Sequence, residues 1–173
     1  MNPRTAIFRR MHVPLGVEVA AARGVAALSR LVGAGGGTTV PGKLLSVLDP
    51  GAVDRLAARL PEGTVAISAT NGKTTTAAMA AEILHPRFRL AHNRSGANLL
   101  SGVASTLLAA GDAQLGLLEV DEGVLLEIAR RVRPRALLLG NLFRDQLDRY
   151  GELELVAERW REAVDALPPG TVV

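Results

Sequence analysis

The chain has 173 residues, a formal net charge of +3, a sequence pI near 10.1, 48% hydrophobic residues and 3% aromatic residues. That length and apolar content suit one domain with a core of Leu, Val, Ala and Ile. The absence of Cys excludes disulfides and thiolate metal sites. The basic residues are almost all Arg, and the Arg130, Arg131, Arg133, Arg135 cluster has no aromatics interleaved with it. It therefore offers no stacking platform for nucleic acid.

At the N-terminus Arg4, Arg9 and Arg10 precede an apolar stretch that Glu18, Arg23 and Arg30 interrupt. The interruptions argue against a signal peptide, and no run reaches the roughly 20 apolar residues of a membrane span. The chain reads as cytoplasmic. The spacing of Leu15, Val19, Leu28, Leu31 and Val32 predicts a helix over 14–32. Residues 33–43 read as a linker. Within it, Gly37 to Lys43 nearly matches a phosphate loop, but Leu44 follows the Lys and supplies no oxygen, and Pro41 removes an N–H donor. Asp49-Pro50 predicts an N-cap and first helical position, with the helix running to Leu60 before Pro61. The division expected is an N-terminal helical segment and linker over 1–62, then a nucleotide-binding domain over 63–173.

From Thr64 the pattern alternates. Strands are expected at 64–68, 87–91, 115–120 and 135–140. Helices are expected at 73–84, 96–110 (capped by Ser95), 122–132 and 152–166, with a loop at 141–149. Thr171 to Val173 starts a further strand, so the chain is expected to be a piece of a longer protein. This order predicts an α/β fold, a parallel sheet with helices on both faces. In such sheets ligands bind at the carboxyl ends of the strands. Three of those ends carry polar clusters.

The first is Thr70-Asn71-Gly72-Lys73-Thr74-Thr75, between an apolar strand and an Ala-rich helix. Strand, tight turn and helix are the layout of a nucleoside triphosphate loop, in which backbone N–H groups and the helix dipole favour phosphate. Lys73 would reach the β- and γ-phosphates and the Thr74 hydroxyl would bind Mg²⁺. The pattern is incomplete at its start, where Ile67 stands in place of the first Gly and Ala69 precedes Thr70. The second cluster, Glu119-Val120-Asp121-Glu122, ends an apolar strand. Glu119 is the expected Mg²⁺ carboxylate, with Asp121 on the same side of the strand. Glu122 is expected to cap the next helix. The third runs from Asn141 to Tyr150, where Asp145 could hold a cation and Arg144 a phosphate.

Together these blocks resemble the central ATPase domain of the Mur ligase superfamily, which is P-loop NTPase-like, and within it the MurT-like ligase subunits of lipid II isoglutaminyl synthases. The resemblance is carried by Val40 to Lys43 with Asp49-Pro50, Ala69 to Thr76, Asn93 to Leu99, Glu119 to Glu122, and Asn141 to Gly151. Asp145-Gln146 stands where Mur ligases generally carry Asp-His. The resemblance implies ATP-dependent amidation of the D-glutamate of the peptidoglycan stem peptide through an acyl phosphate. The implied partners are lipid II or a muramyl peptide as substrate and a GatD-like glutaminase as ammonia source. The lipid-linked substrate would bring the protein to the inner face of the membrane. By the same resemblance, ATP is bound by Thr70, Asn71, Gly72, Lys73, Thr74, Thr75, Asn141, Arg144 and Asp145, and Mg²⁺ by Thr74 and Glu119. A zinc ribbon and the acid-substrate residues are expected beyond Val173, so this segment alone is expected to be inactive. Two other readings stay open. One is another Mur or folylpolyglutamate-type ligase, against which Asp145-Gln146 argues. The other is a noncatalytic nucleotide-binding scaffold subunit, for which Ala69 leaves room.

Overall fold

In the computed structural model the described residues are 39–93, 97–143 and 153–173, together with Gly16, Ala20 and Gly24, which are helical. The rest of the helix expected over 14–32 lies outside them, as do Ser95 and residues 144–152. Among the described residues the elements are α1 (Val40–Leu48), α2 (Ala52–Ala57), β1 (Thr64–Ser68), α3 (Lys73–Leu84), β2 (Leu90–His92), α4 (Leu100–Leu108), β3 (Leu115–Glu119), α5 (Leu125–Val132), β4 (Ala136–Leu139) and α6 (Leu153–Asp165).

The four strands form a parallel sheet in the order β2-β3-β1-β4. Because side chains alternate along a strand, the two faces separate cleanly. Ala66, Leu118 and Leu137 point into a large core shared with Leu45 of α1, Val53 and Leu56 of α2, Val103 and Leu107 of α4, Ile128 of α5 and Trp160 of α6. Ile67 and Leu117 point the other way, against Ala77 and Ala81 of α3. Each fully buried Leu or Val in the large core contributes about 1.5–3 kcal/mol. The helix carrying the phosphate-loop motif buries only Ala77 and Ala81 among its own residues. Val172 bridges in parallel to Ala136, beside β4, where a strand start was expected.

Two expectations ahead of β1 shift. Residues 40–43, read as linker, begin a helix. Pro41 sits in its first turn, where no intrahelical N–H is needed. The Gly42 N–H donates to the Ser105 hydroxyl of α4 at 2.9 Å, and Leu45 is fully buried, so tertiary packing makes this helix. The following helix begins at Ala52 rather than at Pro50. Asp49 accepts from the Gly51 N–H at 3.0 Å and pairs with Arg55, closing a turn ahead of the helix.

Candidate phosphate-loop site

β1 delivers the chain into the loop at the carboxyl edge of the sheet. Gly72 turns it with φ of 80°, a left-handed conformation that costs any side-chain-bearing residue about 1–2 kcal/mol. Gly72 is also the N-cap of α3, and it brings no side-chain cap to the first turn. The first N–H groups of a helix have no intrahelical acceptor, so the α3 start presents donors and the positive dipole end at this point.

Not all of the loop faces a ligand in this way. The Thr70 N–H donates to the Asn141 carbonyl at 2.8 Å. The Asn141 side chain then takes both backbone groups of Asn71, accepting its N–H at 2.9 Å and donating to its carbonyl at 3.2 Å. The Phe143 N–H donates to the Thr70 hydroxyl at 3.0 Å. The N–H groups of Thr70 and Asn71 thus hold the loop to the end of β4. Asn141 sits beside the loop and braces it. Gly140 allows the approach, because a Cβ there would lie 2.8 Å from the Ala69 Cβ. Arg144, Asp145 and Gln146 lie outside the described residues.

Lys73 folds back over the loop. Its ammonium donates to the carbonyls of Ala69 and Thr70 and to Glu122 Oε2, the last at 2.9 Å. The pair is deep, with side-chain exposures of 11% for Lys73 and 2% for Glu122. The Thr74 hydroxyl donates to Glu119 Oε2 at 3.0 Å. Thr74 and Glu119 are thus brought together as the sequence predicts. Two adjacent hard oxygen donors at a helix N-terminus suit Mg²⁺, which prefers carboxylate and hydroxyl ligands shared with phosphate. Thr75, on the first turn of α3, is exposed.

Glu119, Asp121 and Glu122 are all buried. The sequence reading of the last two is corrected. Asp121 lies beyond the end of β3 and accepts from the Gly123 N–H at 3.0 Å, closing the turn toward α5. That turn delays α5 to Leu125, so Glu122 is not a helix cap and its carboxylate goes to Lys73.

Asn93, given no role from the sequence, holds the acidic strand end. Its amide accepts from the Glu119 N–H at 2.8 Å and donates to the Glu119 carbonyl at 2.7 Å and the Ala97 carbonyl at 3.0 Å. The β2–β3 ladder ends at His92 and Leu117, and the Asn93 side chain supplies its next rung. The available signal was an Asn at the end of a short apolar strand. His92 lines a cavity of about 180 Å³ with Thr74, Ala78, Ala81 and Glu82.

No family model matches the chain. It is 36% identical over 151 residues to the lipid II isoglutaminyl synthase (glutamine-hydrolyzing) subunit MurT of Streptococcus pneumoniae, an alignment covering 84% of this chain and 33% of that protein. With the MurT subunit of Staphylococcus aureus (strain N315) it shares 32% identity over 139 residues, or 79% of this chain and 31% of that one. The chain thus spans about a third of the length of the curated relatives it matches. Among solved structures it resembles MurF from Acinetobacter baumannii, with a TM-score of 0.62 and 22% identity over 73% of this chain and 28% of that one. MurF ligase from Thermotoga maritima in complex with ADP gives a TM-score of 0.60 and 18% identity, covering 73% of this chain and 30% of that one. The fold is that of the Mur ligases. Over the third of their length that it spans, the chain belongs to the family of these MurT subunits.

Proposed function

We propose that this chain is the nucleotide-binding part of an ATP-dependent ligase that amidates the D-glutamate of the lipid II stem peptide. Support comes from the meeting of Lys73, Thr74 and Glu119 at the start of α3, read beside the names of the MurT relatives. The α3 amides from Gly72 to Thr75 and the Lys73 ammonium would hold the triphosphate. Thr74 and Glu119 would hold Mg²⁺, which withdraws charge from the bridging phosphate oxygens. A substrate carboxylate oxygen would attack the γ-phosphorus, releasing ADP and leaving an acyl phosphate. Ammonia from a GatD-like glutaminase partner would then attack the acyl carbon and expel phosphate. Asn141 would serve the site by fixing Asn71, and by the resemblance Arg144 and Asp145 would contact ATP. The partner and the lipid-linked substrate would place the work at the cytoplasmic face of the membrane. Among the described residues no helix is long and apolar enough to cross it.

The test compares two lysines in the intact protein. Lys73→Ala should lose Mg·ATP binding in titration calorimetry and lower turnover by about 10³-fold, or about 4 kcal/mol. Lys43→Ala, on the exposed side of α1, should bind like wild type. The reverse ordering would put the nucleotide elsewhere.

A further inference from the structure

The Lys73 ammonium has three protons, and all three have acceptors: two loop carbonyls and Glu122. Glu122 is 2% exposed, and its second oxygen, Oε1, is buried with no hydrogen-bond partner. A buried carboxylate left half satisfied is costly to keep. The turn into α5 does not call for it, because Asp121 already closes that turn. The Thr74 hydroxyl is met by Glu119.

Its consequence is electrostatic. The loop from Ala69 to Thr76 contains one cation, Lys73. Glu122 neutralises that cation at contact distance, and Glu119, at the end of β3, sets a second carboxylate against Thr74, the next residue of the helix. A polyphosphate arriving without a metal therefore meets, at this loop, a lysine already paired with a carboxylate. A polyphosphate arriving with a divalent cation brings the missing positive charge to the Thr74–Glu119 side. Burial sharpens the contrast, because these charges are little screened by water.

We propose that Glu122 makes this loop selective for metal-bound over metal-free nucleotide, by holding Lys73 in a neutralised pair. The proposal rests on the nucleotide-loop reading above and adds a role for a residue which that reading leaves idle. In this role Glu122 is a positioning and charge-setting residue for Lys73, not a metal ligand.

The experiment is titration calorimetry of the intact protein with ADP, once with excess Mg²⁺ and once with excess chelator. Glu122→Gln keeps shape and one acceptor but removes the charge. It should tighten metal-free ADP on the order of tenfold, the effect of one unit charge several ångströms away at intermediate dielectric. Mg·ADP should change by less than about threefold, so the preference for the metal complex shrinks by their ratio. Glu122→Asp keeps the charge and should keep the wild-type preference, which decides the matter if the Gln variant does not fold. If wild type binds Mg·ADP and the preference is the same in Glu122→Gln, or is lost in Glu122→Asp, this inference falls and the nucleotide reading survives. If wild type binds neither form, both fall.

Discussion

Replacing Asn93 by Leu is the sharpest test of how the acidic strand end is held. The substitution keeps the branched four-atom outline with bulkier methyl ends, so it opens no cavity, and it removes three hydrogen bonds at a residue only 3% exposed. The Glu119 N–H and carbonyl lose their partner at a buried site. The Ala97 carbonyl is half-buried and can recover a water. Each buried group left unsatisfied costs about 1–3 kcal/mol, so the two on Glu119 predict a loss of about 2–6 kcal/mol. Against a typical total of about 5–15 kcal/mol, that is a large fraction. Urea denaturation of the intact protein, followed by circular dichroism, should show a midpoint lowered by about 1 M or more with little change in slope. Asn93→Asp retains the acceptor for the Glu119 N–H but loses both donated bonds and adds a charge beside carbonyl oxygens, so it should be no milder. A loss below about 1 kcal/mol for Asn93→Leu would refute the reasoning, because it would mean that water reaches this rung of the sheet.

Glu119→Gln should raise the Mg²⁺ needed for half-maximal nucleotide binding while shifting the melting temperature little, since an amide oxygen can still accept from Thr74. A large melting shift with unchanged Mg²⁺ dependence would make that carboxylate structural. Gly140→Ala should cost about 1–3 kcal/mol, because its Cβ would crowd Ala69 at 2.8 Å and push Asn141 off the Asn71 backbone. Nucleotide affinity measured by calorimetry should fall with it, and an unchanged affinity would show that the Asn141 brace is dispensable.

The parts of the fold legible in the sequence were those where local pattern and tertiary role agree. β1 and α3 occupy 64–68 and 73–84 as expected, since an apolar strand, a Gly turn and an Ala-rich run each favour their own state. α1 was missed because Pro41 and Gly42 are poor helix formers in isolation, and what holds them is Leu45 in the core and the Gly42–Ser105 bond across to α4. The expected start of α4 at 96 moves to Leu100 for a similar reason. The carbonyls of Ala97 and Asn98 are taken by Asn93 and by the Asp121 N–H, which keeps that stretch out of the helix. At the site, Glu119 was legible because strand alternation reaches it. Glu122 was not, because alternation stops at the end of β3 and a turn re-aims the next side chains.

The site depends on sheet order as much as on the residues. β3 lies between β2 and β1, out of sequence order. On one side it receives Asn93 from the end of β2, and on the other it faces the loop leaving β1. That adjacency lets Thr74 reach Glu119 at 3.0 Å and Lys73 reach Glu122 at 2.9 Å. Had the strands been laid down in chain order, β2 would separate β3 from the loop by a further strand spacing of about 4.8 Å, beyond hydrogen-bond reach. β4 occupies the other flank of β1, and from there Asn141 holds the loop from behind. Each buried acid then finds its partner locally: Glu119 at Thr74, Asp121 at the Gly123 N–H, Glu122 at Lys73. The crossover at β1 is thus the reason that three carboxylates can be buried at one strand end and still lie beside Lys73, the one cation of the Ala69–Thr76 loop.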